Sequence, residues 1–563
     1  MLLDRYLPRI DFDSYEDFKQ NYKVNVPENF NFGFDIVDEW AKQEPEKNAL
    51  LWVDDYGTEK RFTFTDISRL SARVANMLKS LGIKKGSVVM LILRRRWEYW
   101  VCATAIHKLG AIVIPGTLQL TKKDIVYRGN AAGISAIICV NEDFVIEQVG
   151  AACGEIGSLN HKIIVSKGGE DGDKPRGDGW LYFDKEIDKY SEVFERPSGA
   201  DANRWDDTML IYFTSGTTGM PKMVCHNFAH PLGHIVTAKY WQQVQENKLH
   251  MSVSDSGWAK FGWGKIYGQW ICGATIFCYD MLKFIPHKLL EMMSRYKLTT
   301  FCAPPTMYRF MLQEDVASYD LSSIQNFCNA GEPLNPEVFD KWYGFTGKKL
   351  REGYGQTESS VFVANFPWIE PIAGSMGKPS PLYNIELIDS NGNPCADGDE
   401  GTIMVRGIDK YMPTGLFVGY YKNKELTEKA LGGTEYDTGD VAWRDSNGYY
   451  WFVGRNDDVI KCSGYRIGPF EVESALIAHP AVVECAITAA PDPIRGQVVK
   501  ATVVLARGYT PSDELTKELQ THVKKLTAPY KYPRIIVYVD ELPKTIGGKI
   551  KRAEIRNTDN NNK

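Results

Sequence analysis

Three absences narrow the classes to which this sequence can belong. It contains no apolar run of about 18 residues, so no membrane-spanning helix is expected. Its eleven cysteines are scattered and include no C-x-x-C pair, which indicates reduced thiols in a cytosolic protein. The net charge of -5 provides no concentrated basic face, and nucleic acid is therefore set aside as a partner.

The N-terminus lacks the features of a targeting segment. The stretch "MLLDRYLPRIDFDSYEDF" is too acidic for a transit peptide and has no continuous apolar core of the kind found in signal peptides. Together with the cysteine pattern, this predicts a cytoplasmic location.

Length and hydrophobic patterning predict several domains with an α/β beginning. A chain of 563 residues exceeds the size at which one hydrophobic core keeps growing. After Arg61, strand-like runs such as "SVVMLIL" alternate with helical patterns, which predicts doubly wound α/β subdomains. The triplet Arg94, Arg95 and Arg96 falls at a strand-to-helix junction, where a solvated loop is expected rather than an anion-binding patch.

The pattern of apolar runs and turn residues changes twice in the second half of the chain. Short apolar runs separated by turn signals between residues 375 and 452 predict a β-rich barrel or sandwich. An α+β pattern with a helix near 513–526 follows. We therefore predict an N-terminal domain at 1–456, a C-terminal domain at 457–557 and a disordered tail at 558–563.

The stretch "YFTSGTTGMPKM", residues 212–223, has the composition of a phosphate-binding loop. Gly216 and Gly219 permit backbone conformations that expose N–H groups to an anion, and the hydroxyl side chains and Lys222 add donors. The Walker pattern is not met, because Lys222 follows a proline and precedes a methionine.

Four further motifs occur downstream in a fixed order. They are "GYGQTES" at 353–359, "YDTGD" at 436–440, "GRNDDVIKCSGYRIG" at 454–468 and "LPKTIGGKIKR" at 542–552. With the phosphate loop, they resemble the signature motifs of the adenylate-forming superfamily of acyl-CoA synthetases, adenylation domains and luciferases. The resemblance extends from about residue 30 to 555 and is greatest to the medium-chain acyl-CoA synthetases. Met223 departs from the glycine that is usual in that family.

The resemblance implies two half-reactions with ATP, Mg²⁺ and coenzyme A. A carboxylate attacks the α-phosphate of ATP to give an acyl-adenylate and pyrophosphate, and a thiol then displaces AMP to give the thioester. Lys549 matches the family's catalytic lysine, which stabilises charge at the α-phosphate. Glu358 and Thr217 match residues that act in catalysis and hold the metal ion.

The resemblance also implies a nucleotide site assembled from several segments. Asp440 would accept hydrogen bonds from the ribose hydroxyls, Arg455 would support the ribose or a phosphate, and Gly331 would begin a loop against adenine. The residues implied for ATP and AMP are Thr214, Ser215, Gly216, Thr217, Thr218, Gly219, Lys222, Gly331, Glu332, Pro333, Glu352, Gly353, Tyr354, Gly355, Gln356, Thr357, Asp440, Arg455 and Lys549.

A mobile C-terminal domain is part of what the resemblance implies. Asp457 matches the hinge at which this domain turns between the half-reactions. The residues implied for coenzyme A are Ser463, Gly464, Tyr465, Arg466, Arg495, Lys524, Tyr532 and Arg534.

The acyl pocket is expected between residues 254–268 and "EGYGQTE". In acetate-specific relatives a tryptophan stands where this chain has Gly355, so an open pocket floor and a larger acid are expected here. Trp258, Lys260 and Trp263 are the other expected wall residues. They favour a medium-chain, short branched or aryl acid over acetate.

Several alternatives stay open from the sequence. The chain could load a carrier-protein thiol, or could bind an acyl nucleotide without catalysis, and a luciferase-like oxygenase is less favoured. His226, His230 and His234 recur every fourth residue, but Pro231 interrupts a helix, so no metal site is expected. Cys462 is expected to be chemically passive. A homo-oligomer is compatible with the sequence.

Overall fold

The computed structural model describes residues 2–168, 174–214, 220–462, 465–492, 495–544 and 550–561, with side chains described as far as residue 556. Within these ranges no helix is both long enough and apolar enough to cross a membrane.

Most strands lie in two large sheets. The first fourteen are β1 (Asn48–Asp54), β2 (Glu59–Thr63), β3 (Val88–Ile92), β4 (Ile112–Pro115), β5 (Ile134–Val140), β6 (His161–Val165), β7 (Leu181–Tyr182), β8 (Thr208–Thr214), β9 (Lys222–Asn227), β10 (Leu249–Ser252), β11 (Thr275–Asp280), β12 (Thr300–Ala303), β13 (Asn326–Ala330) and β14 (Leu350–Tyr354). The others are β15 (Val363–Ala364), β16 (Ser375–Pro379), β17 (Ile385–Ile388), β18 (Glu400–Arg406), β19 (Gly419–Tyr420), β20 (Glu435–Arg444), β21 (Tyr450–Arg455), β22 (Ile460–Cys462), β23 (Tyr465–Ile467), β24 (Val482–Asp492), β25 (Gly496–Leu505) and β26 (Ile535–Tyr538).

The α-helices pack against the two large sheets and, near the C-terminus, against a third, smaller sheet. They are α1 (Tyr15–Asn21), α2 (Glu39–Gln43), α3 (Phe64–Ser80), α4 (Glu98–Lys108), α5 (Lys122–Ala132), α6 (Asp143–Cys153), α7 (Phe183–Glu186), α8 (His230–Gly233), α9 (Ala259–Lys265), α10 (Tyr267–Ile271), α11 (Pro286–Arg295), α12 (Pro305–Met311), α13 (Pro336–Thr346), α14 (Lys424–Leu431), α15 (Pro469–Ile477), α16 (Asp513–Leu526) and α17 (Arg552–Asn561). Helix α3 shows why these segments fold locally. Thr63 and Asp66 form a reciprocal capping box, while Ile67, Val74 and Leu78 are buried along one face.

The larger sheet contains thirteen strands in the order β17-β18-β20-β21-β16-β15-β14-β13-β12-β10-β11-β1-β2. The pairs from β14 through β13, β12, β10 and β11 to β1 are parallel, as predicted for an α/β subdomain. The β-rich region predicted at 375–452 is present, but as an antiparallel extension of this sheet. The sequence left a barrel or a sandwich open for this region, and β15 and β16 join its antiparallel strands directly to β14.

The second sheet contains eight strands in the order β19-β9-β8-β4-β3-β5-β6-β7. Strands β3 to β8 in this sheet pair in parallel, which confirms the predicted doubly wound arrangement. Strands β8 and β9 are antiparallel, with Thr214 opposite Lys222. The segment after the phosphate loop is therefore a strand, whereas a Walker loop leads into a helix.

The arginine triplet joins the two sheets, and the predicted solvated loop is wrong. Arg94 and Arg96 are buried. Arg94 forms ion pairs with Asp280 at 2.8 Å and with Glu142 at 3.0 Å, and Arg96 lies 3.8 Å from Asp280. Asp280 ends β11 in the larger sheet, whereas the arginines follow β3 in the smaller one. Buried charges of this kind need partners, and these partners lie far away in the sequence.

The C-terminal part forms a separate five-stranded sheet, with β23-β22-β25-β24 in order and β26 paired to β25. Helix α16 spans the predicted residues 513–526. Helix α17 continues to Asn561, so the disordered tail expected from residue 558 is wrong as far as that residue. Arg552 and Arg556, near the start of α17, form ion pairs with Glu473 and Asp458 that fix the helix to α15 and to the segment between β21 and β22.

Candidate active site

The carboxyl edge of the parallel strands brings three predicted segments together. The acyl-pocket segment follows β10, Gly331 follows β13, and Gly355 follows β14. Strands β10, β12, β13 and β14 are adjacent, so these connections meet at one edge. Crevices outside the carboxyl ends of parallel strands are the usual binding places in such sheets.

A hydrogen-bond cluster surrounds Asp440 on β20. Its Oδ2 accepts a hydrogen bond from the Tyr354 hydroxyl at 2.6 Å and from the Gln356 amide at 2.6 Å. Its Oδ1 lies 3.3 Å from the guanidinium of Arg455. The Gln356 amide also donates to the Thr438 carbonyl at 2.7 Å. The motifs "GYGQTES", "YDTGD" and the beginning of "GRNDD" are therefore held together around one buried carboxylate.

The loop expected to pack against adenine is held from two sides. The Thr306 hydroxyl donates to the Glu332 carboxylate at 2.7 Å, and the Leu334 amide donates to Glu352 at 3.3 Å. Gly331 has a φ of 99°, and the space beside its Cα is filled by the ammonium of Lys260. That ammonium donates to the Ala330 carbonyl at 3.0 Å. A side chain at position 331 would therefore be strained and would collide with Lys260.

Glu352 is a buried carboxyl group on β14. Burial raises the pKa of Glu352 to about 8, because desolvation disfavours its anion. In the unfolded chain the pKa is about 4.5. The raised folded pKa means that Glu352 stabilises the fold most at low pH, and this contribution is lost as the pH rises from about 4.5 to about 8.

We expect Glu352→Gln to remove this pH dependence. Between about pH 5 and 8, the free energy of unfolding of the wild type should fall relative to the variant by about 1.4 kcal/mol per pH unit. Urea unfolding at several pH values measures the difference. Glu337→Gln, at a partly exposed position of α13, is the control and should show no such trend. Parallel pH profiles for Glu352→Gln and the wild type would contradict the expectation.

Glu358 provides a half-buried carboxylate next to the phosphate-loop strands. Its Oε1 lies 3.4 Å from the donating hydroxyl of Tyr420 on β19. Burial raises the pKa of Glu358, and the nearby ammonium of Lys222 opposes that shift. Lys222 begins β9 and lies over the Tyr420 ring, 5.3 Å from its centroid. Thr214 ends β8 opposite Lys222, whereas Ser215, Gly216, Thr217, Thr218 and Gly219 lie outside the described residues.

The residues around Glu358 fit a magnesium ion that is shared with phosphates. A nearby cation stabilises the anion of a desolvated carboxylate. Mg²⁺ is commonly bound by one or two protein carboxylates together with phosphate and water oxygens. The described residues contain no group of three or more His, Cys, Asp or Glu side chains that could hold a metal ion alone. A magnesium site whose remaining ligands are phosphate oxygens of the nucleotide is consistent with both observations.

The three spaced histidines form a buried cluster of rings in contact with one another. The rings of His226 and His230 are 3.8 Å apart at their centroids, and Nε2 of His230 lies 3.0 Å from Nε2 of His234. Burial lowers the pKa of His226 to about 4 and of His234 to about 3, so both are neutral near pH 7. Nε2 of His226 lies 2.8 Å from the carbonyl oxygen of Thr357. Sequence spacing drew attention to these residues, but it gave no sign of this contact beside Glu358.

The space at Gly355 is filled, which corrects the expected open pocket floor. A Cβ at this position would lie 2.3 Å from Cη2 of Trp263 and 2.7 Å from the Ser360 carbonyl oxygen. Trp263 is buried on α9, whereas Trp258 is partly buried just before that helix. Arg95 helps to hold the segment, since its guanidinium lies 3.4 Å from Asp255. The Trp263 ring therefore fills the side of the expected acyl pocket that the sequence indicated to be open.

The segment that follows Lys549 is anchored inside the C-terminal part. Lys549 itself lies outside the described residues. Arg552 donates two hydrogen bonds of 2.8 Å to the buried carboxylate of Glu473, which also accepts from the Ile487 amide at 2.9 Å. Arg556 pairs with Asp458, the neighbour of the predicted hinge residue Asp457. The hinge region and the end of the catalytic motif are thus connected by ion pairs.

We expect Glu473→Gln to destabilise the C-terminal part by about 2–4 kcal/mol, because Arg552 would keep its charge with only the more distant carboxylate of Asp458, 3.8 Å away, as a partner. Thermal unfolding followed by circular dichroism measures the shift. Glu471→Gln removes a surface partner of Lys531 and should change the free energy of unfolding by less than about 1 kcal/mol. Equal shifts of the unfolding temperature in the two variants would show that the buried ion pair stabilises the protein no more than the surface pair does.

Four of the six described residues implied for coenzyme A lie in two groups. Lys524 lies 3.9 Å from the ring centroid of Tyr532, and the Arg534 guanidinium lies 5.0 Å from it. Tyr465 is exposed and stacks on Tyr530 with ring centroids 4.1 Å apart. The motifs did not indicate Tyr530.

The other described members of that set face different partners. Arg466 lies 3.8 Å from Glu400 of the N-terminal part, and the amide of Arg495 donates to Asp492 at 2.7 Å. Ser463 and Gly464 lie outside the described residues. The coenzyme A assignments stay predictions.

Residues of the N-terminal part also contact the C-terminal sheet. Lys544, just before the undescribed 545–549, donates to Glu484 at 2.8 Å. Glu484 lies 4.0 Å from Arg309 on α12, the helix that also carries Thr306. No sequence motif singled out Arg309 or Glu484, because their contact joins distant parts of the chain.

Comparison with known proteins agrees with this geometry. The profile of the "AMP-binding enzyme" family matches residues 37–421, and that of the "AMP-binding enzyme C-terminal domain" matches residues 471–549. The chain is 41% identical to the mouse (Mus musculus) protein "Acyl-coenzyme A synthetase ACSM3, mitochondrial", over 97% of this chain and 93% of that one. It is 43% identical to the human (Homo sapiens) protein "Acyl-coenzyme A synthetase ACSM4, mitochondrial", over 96% and 93% of the two chains.

A solved structure shares the fold over nearly the whole chain. The crystal structure of the anthranilate CoA ligase AuaEII in complex with anthranoyl-AMP superposes with a TM-score of 0.85 and 28% identity. The match covers 95% of this chain and 98% of that one. On the family profiles, the near full-length relatives and the fold, this chain belongs to the AMP-binding family of adenylate-forming enzymes.

Proposed function

We propose that this protein is an ATP-dependent, AMP-forming acyl-CoA synthetase. The observation that carries the proposal is the cluster around Asp440, which joins three motifs of a nucleotide site around one buried carboxylate. The close relatives are named as acyl-coenzyme A synthetases, and they match this chain over nearly its whole length.

The proposed first half-reaction forms an acyl-adenylate. An oxygen of the substrate carboxylate bonds to the α-phosphorus of ATP, the bond to the bridging oxygen of the β-phosphate breaks, and pyrophosphate leaves. Asp440 accepts hydrogen bonds from the ribose, and the loop held by Glu332 and Glu352 packs against adenine. Lys222 lies on the phosphate side. A carboxylate is already ionised at neutral pH, so the step needs charge stabilisation rather than a general base.

Two further groups belong to this half-reaction in the proposal. Lys549 bridges the carboxylate and α-phosphate oxygens and stabilises the charge that develops there. Glu358, with Thr217, would hold Mg²⁺, which would neutralise phosphate charge when bound. Both roles follow from the family resemblance, and the desolvation that raises the pKa of Glu358 supports the second.

The proposed second half-reaction transfers the acyl group. The sulfur of coenzyme A bonds to the acyl carbonyl carbon, the bond from that carbon to the AMP phosphate oxygen breaks, and AMP leaves. We propose that the domain at 457–557 turns at Asp457 between the two steps. Tyr465, Arg466, Arg495 and the group around Tyr532 then face coenzyme A, together with Ser463 and Gly464.

The proposed substrate is a medium-chain, short branched or aryl carboxylic acid rather than acetate. The ligase AuaEII is an anthranilate CoA ligase whose structure contains anthranoyl-AMP, which supports an aryl acid as one member of this range. We keep a cytoplasmic location as a prediction from the sequence, although the two compared relatives are named as mitochondrial. Imaging of the tagged protein in its own cells tests this location.

The test of the proposal is a panel of acids assayed by ATP–pyrophosphate exchange without coenzyme A, and then by thioester formation with it. We expect ATP–pyrophosphate exchange that depends on the acid, and then conversion of that acid to its acyl-CoA when coenzyme A is added. Exchange followed by transfer only to a carrier-protein thiol would support the alternative adenylation enzyme. ATP binding without exchange for any acid would support the non-catalytic alternative.

A further inference from the structure

Glu484 of the C-terminal part lies between two cations that come from distant parts of the chain. Both of its carboxylate oxygens accept hydrogen bonds from the Lys544 ammonium, at 2.9 Å and 2.8 Å. The Arg309 guanidinium of the N-terminal part lies 4.0 Å away. The side chains of Glu484 and Arg309 are only 20% and 24% exposed. Because partly desolvated charges interact more strongly than charges in water, this contact contributes more than an ordinary surface ion pair.

Arg309 belongs to a helix that also supports the loop predicted to pack against adenine. Thr306 and Arg309 are three residues apart on α12 and therefore lie on one face of the helix. The Thr306 hydroxyl donates to the Glu332 carboxylate of that loop at 2.7 Å. Asn335, which follows the same loop, donates to the Ser474 carbonyl of the C-terminal part at 3.3 Å. The region of the adenine loop thus contacts the C-terminal part both directly and through α12.

Lys544 lies at one end of the segment that contains Lys549. Its backbone forms an antiparallel bridge with that of Ile550, the residue directly after Lys549. The chain therefore enters and leaves residues 545–549 at two points that lie side by side. Glu484 fixes the first of these points through the Lys544 ammonium.

We propose that Glu484 is a positioning residue for the first half-reaction. Through Arg309 it holds the domain at 457–557 against the adenine side of the site, and through Lys544 it holds the segment that carries Lys549. The inference rests on the proposed function, in which this domain turns between the two half-reactions. The contact with Arg309 breaks when the domain turns, so it supports formation of the acyl-adenylate and not the transfer to coenzyme A.

The test measures the two half-reactions of the full-length protein separately, with the acid that gives the fastest ATP–pyrophosphate exchange. For Glu484→Gln we expect kcat for exchange to fall about fivefold or more, which is the lower end of typical coupling between sites. KM for ATP should change less than kcat, because Glu484 is not among the residues that contact the nucleotide. Thioester formation from the supplied acyl-adenylate should stay near the wild-type rate.

Arg309 provides an independent test from the other side of the contact. Arg309→Lys keeps the positive charge and should keep most of the exchange rate, whereas Arg309→Gln should lower it as Glu484→Gln does. The double variant Arg309→Gln with Glu484→Gln should lose less than the product of the two single losses, because both residues act on one contact. If Glu484→Gln does not fold, the comparison of Arg309→Gln with Arg309→Lys tests the same contact.

Glu518→Gln is the matched control. Glu518 is an exposed carboxylate of α16 that lies 3.2 Å from His479, which also belongs to the C-terminal part. The substitution removes the same charge from the same part of the protein without touching the contact with Arg309. Both half-reactions should stay near the wild-type rate.

The outcomes separate the inference from the proposed function. Equal losses of both half-reactions in Glu484→Gln would overturn the positioning role and leave the synthetase activity standing. Full exchange activity in Glu484→Gln or in Arg309→Gln would also overturn it. A wild-type protein without acid-dependent exchange for any acid would contradict the proposed function itself.

Discussion

Replacing Lys549 by alanine should reduce acid-dependent ATP–pyrophosphate exchange by roughly a hundredfold or more. A unit charge about 4 Å away, at an effective dielectric near 20, interacts with the reacting phosphate by roughly 4 kcal/mol, and part of this is specific to the transition state. Thioester formation from supplied acyl-adenylate should be largely kept, because Lys549 is predicted to act only in the first half-reaction.

Lys551→Ala is the control for this experiment. Lys551 is two residues away and forms an exposed pair with Glu554 at 3.2 Å. It should leave both half-reactions near the wild-type rate. An equal loss of both half-reactions in Lys549→Ala would contradict the role given to this lysine.

The second large effect is expected at Asp440. Asparagine in its place would turn an –NH₂ group towards either the Gln356 amide or the Arg455 guanidinium, both of which donate. The ribose would also lose a charged acceptor. Since a hydrogen bond to a charged group contributes about 1.5–3 kcal/mol, we expect KM for ATP to rise about 10- to 100-fold.

Steady-state kinetics with ATP as the varied substrate measures this effect. Asp437→Asn is the control on the same strand. In the described residues, the Asp437 carboxylate accepts a hydrogen bond from the nearby backbone amide of Gly439. The side-chain oxygen of an asparagine can accept the same hydrogen bond. KM for ATP should stay near the wild-type value in that variant. An unchanged KM for ATP in Asp440→Asn would contradict the proposed contact between Asp440 and the ribose.

Local patterns predicted local structure well. Helix α16 covers the expected residues 513–526, and the buried face of α3 carries the periodic Ile67, Val74 and Leu78. The motif residues Tyr354, Gln356 and Asp440 form one cluster, in which the end of the parallel strand β14 meets the middle of the antiparallel strand β20.

The features that the sequence did not predict depend on contacts between distant residues. Nothing near Arg94 indicates that Asp280 will neutralise it, and the solvated loop was therefore the wrong expectation. Gly355 suggested an empty space because the residue that fills it, Trp263, comes from a helix between β10 and β11. The expected disorder of the tail did not allow for the anchoring of Arg552 and Arg556.

The most direct measurement of the central claim is the stoichiometry of products with an acid that supports exchange. Purified protein, ATP, magnesium chloride, coenzyme A and isobutyrate or benzoate should yield AMP and the acyl-CoA in a one-to-one ratio by mass spectrometry. AMP should not accumulate steadily when coenzyme A is omitted. Formation of ADP in place of AMP, or of AMP without any thioester, would contradict an AMP-forming acyl-CoA synthetase.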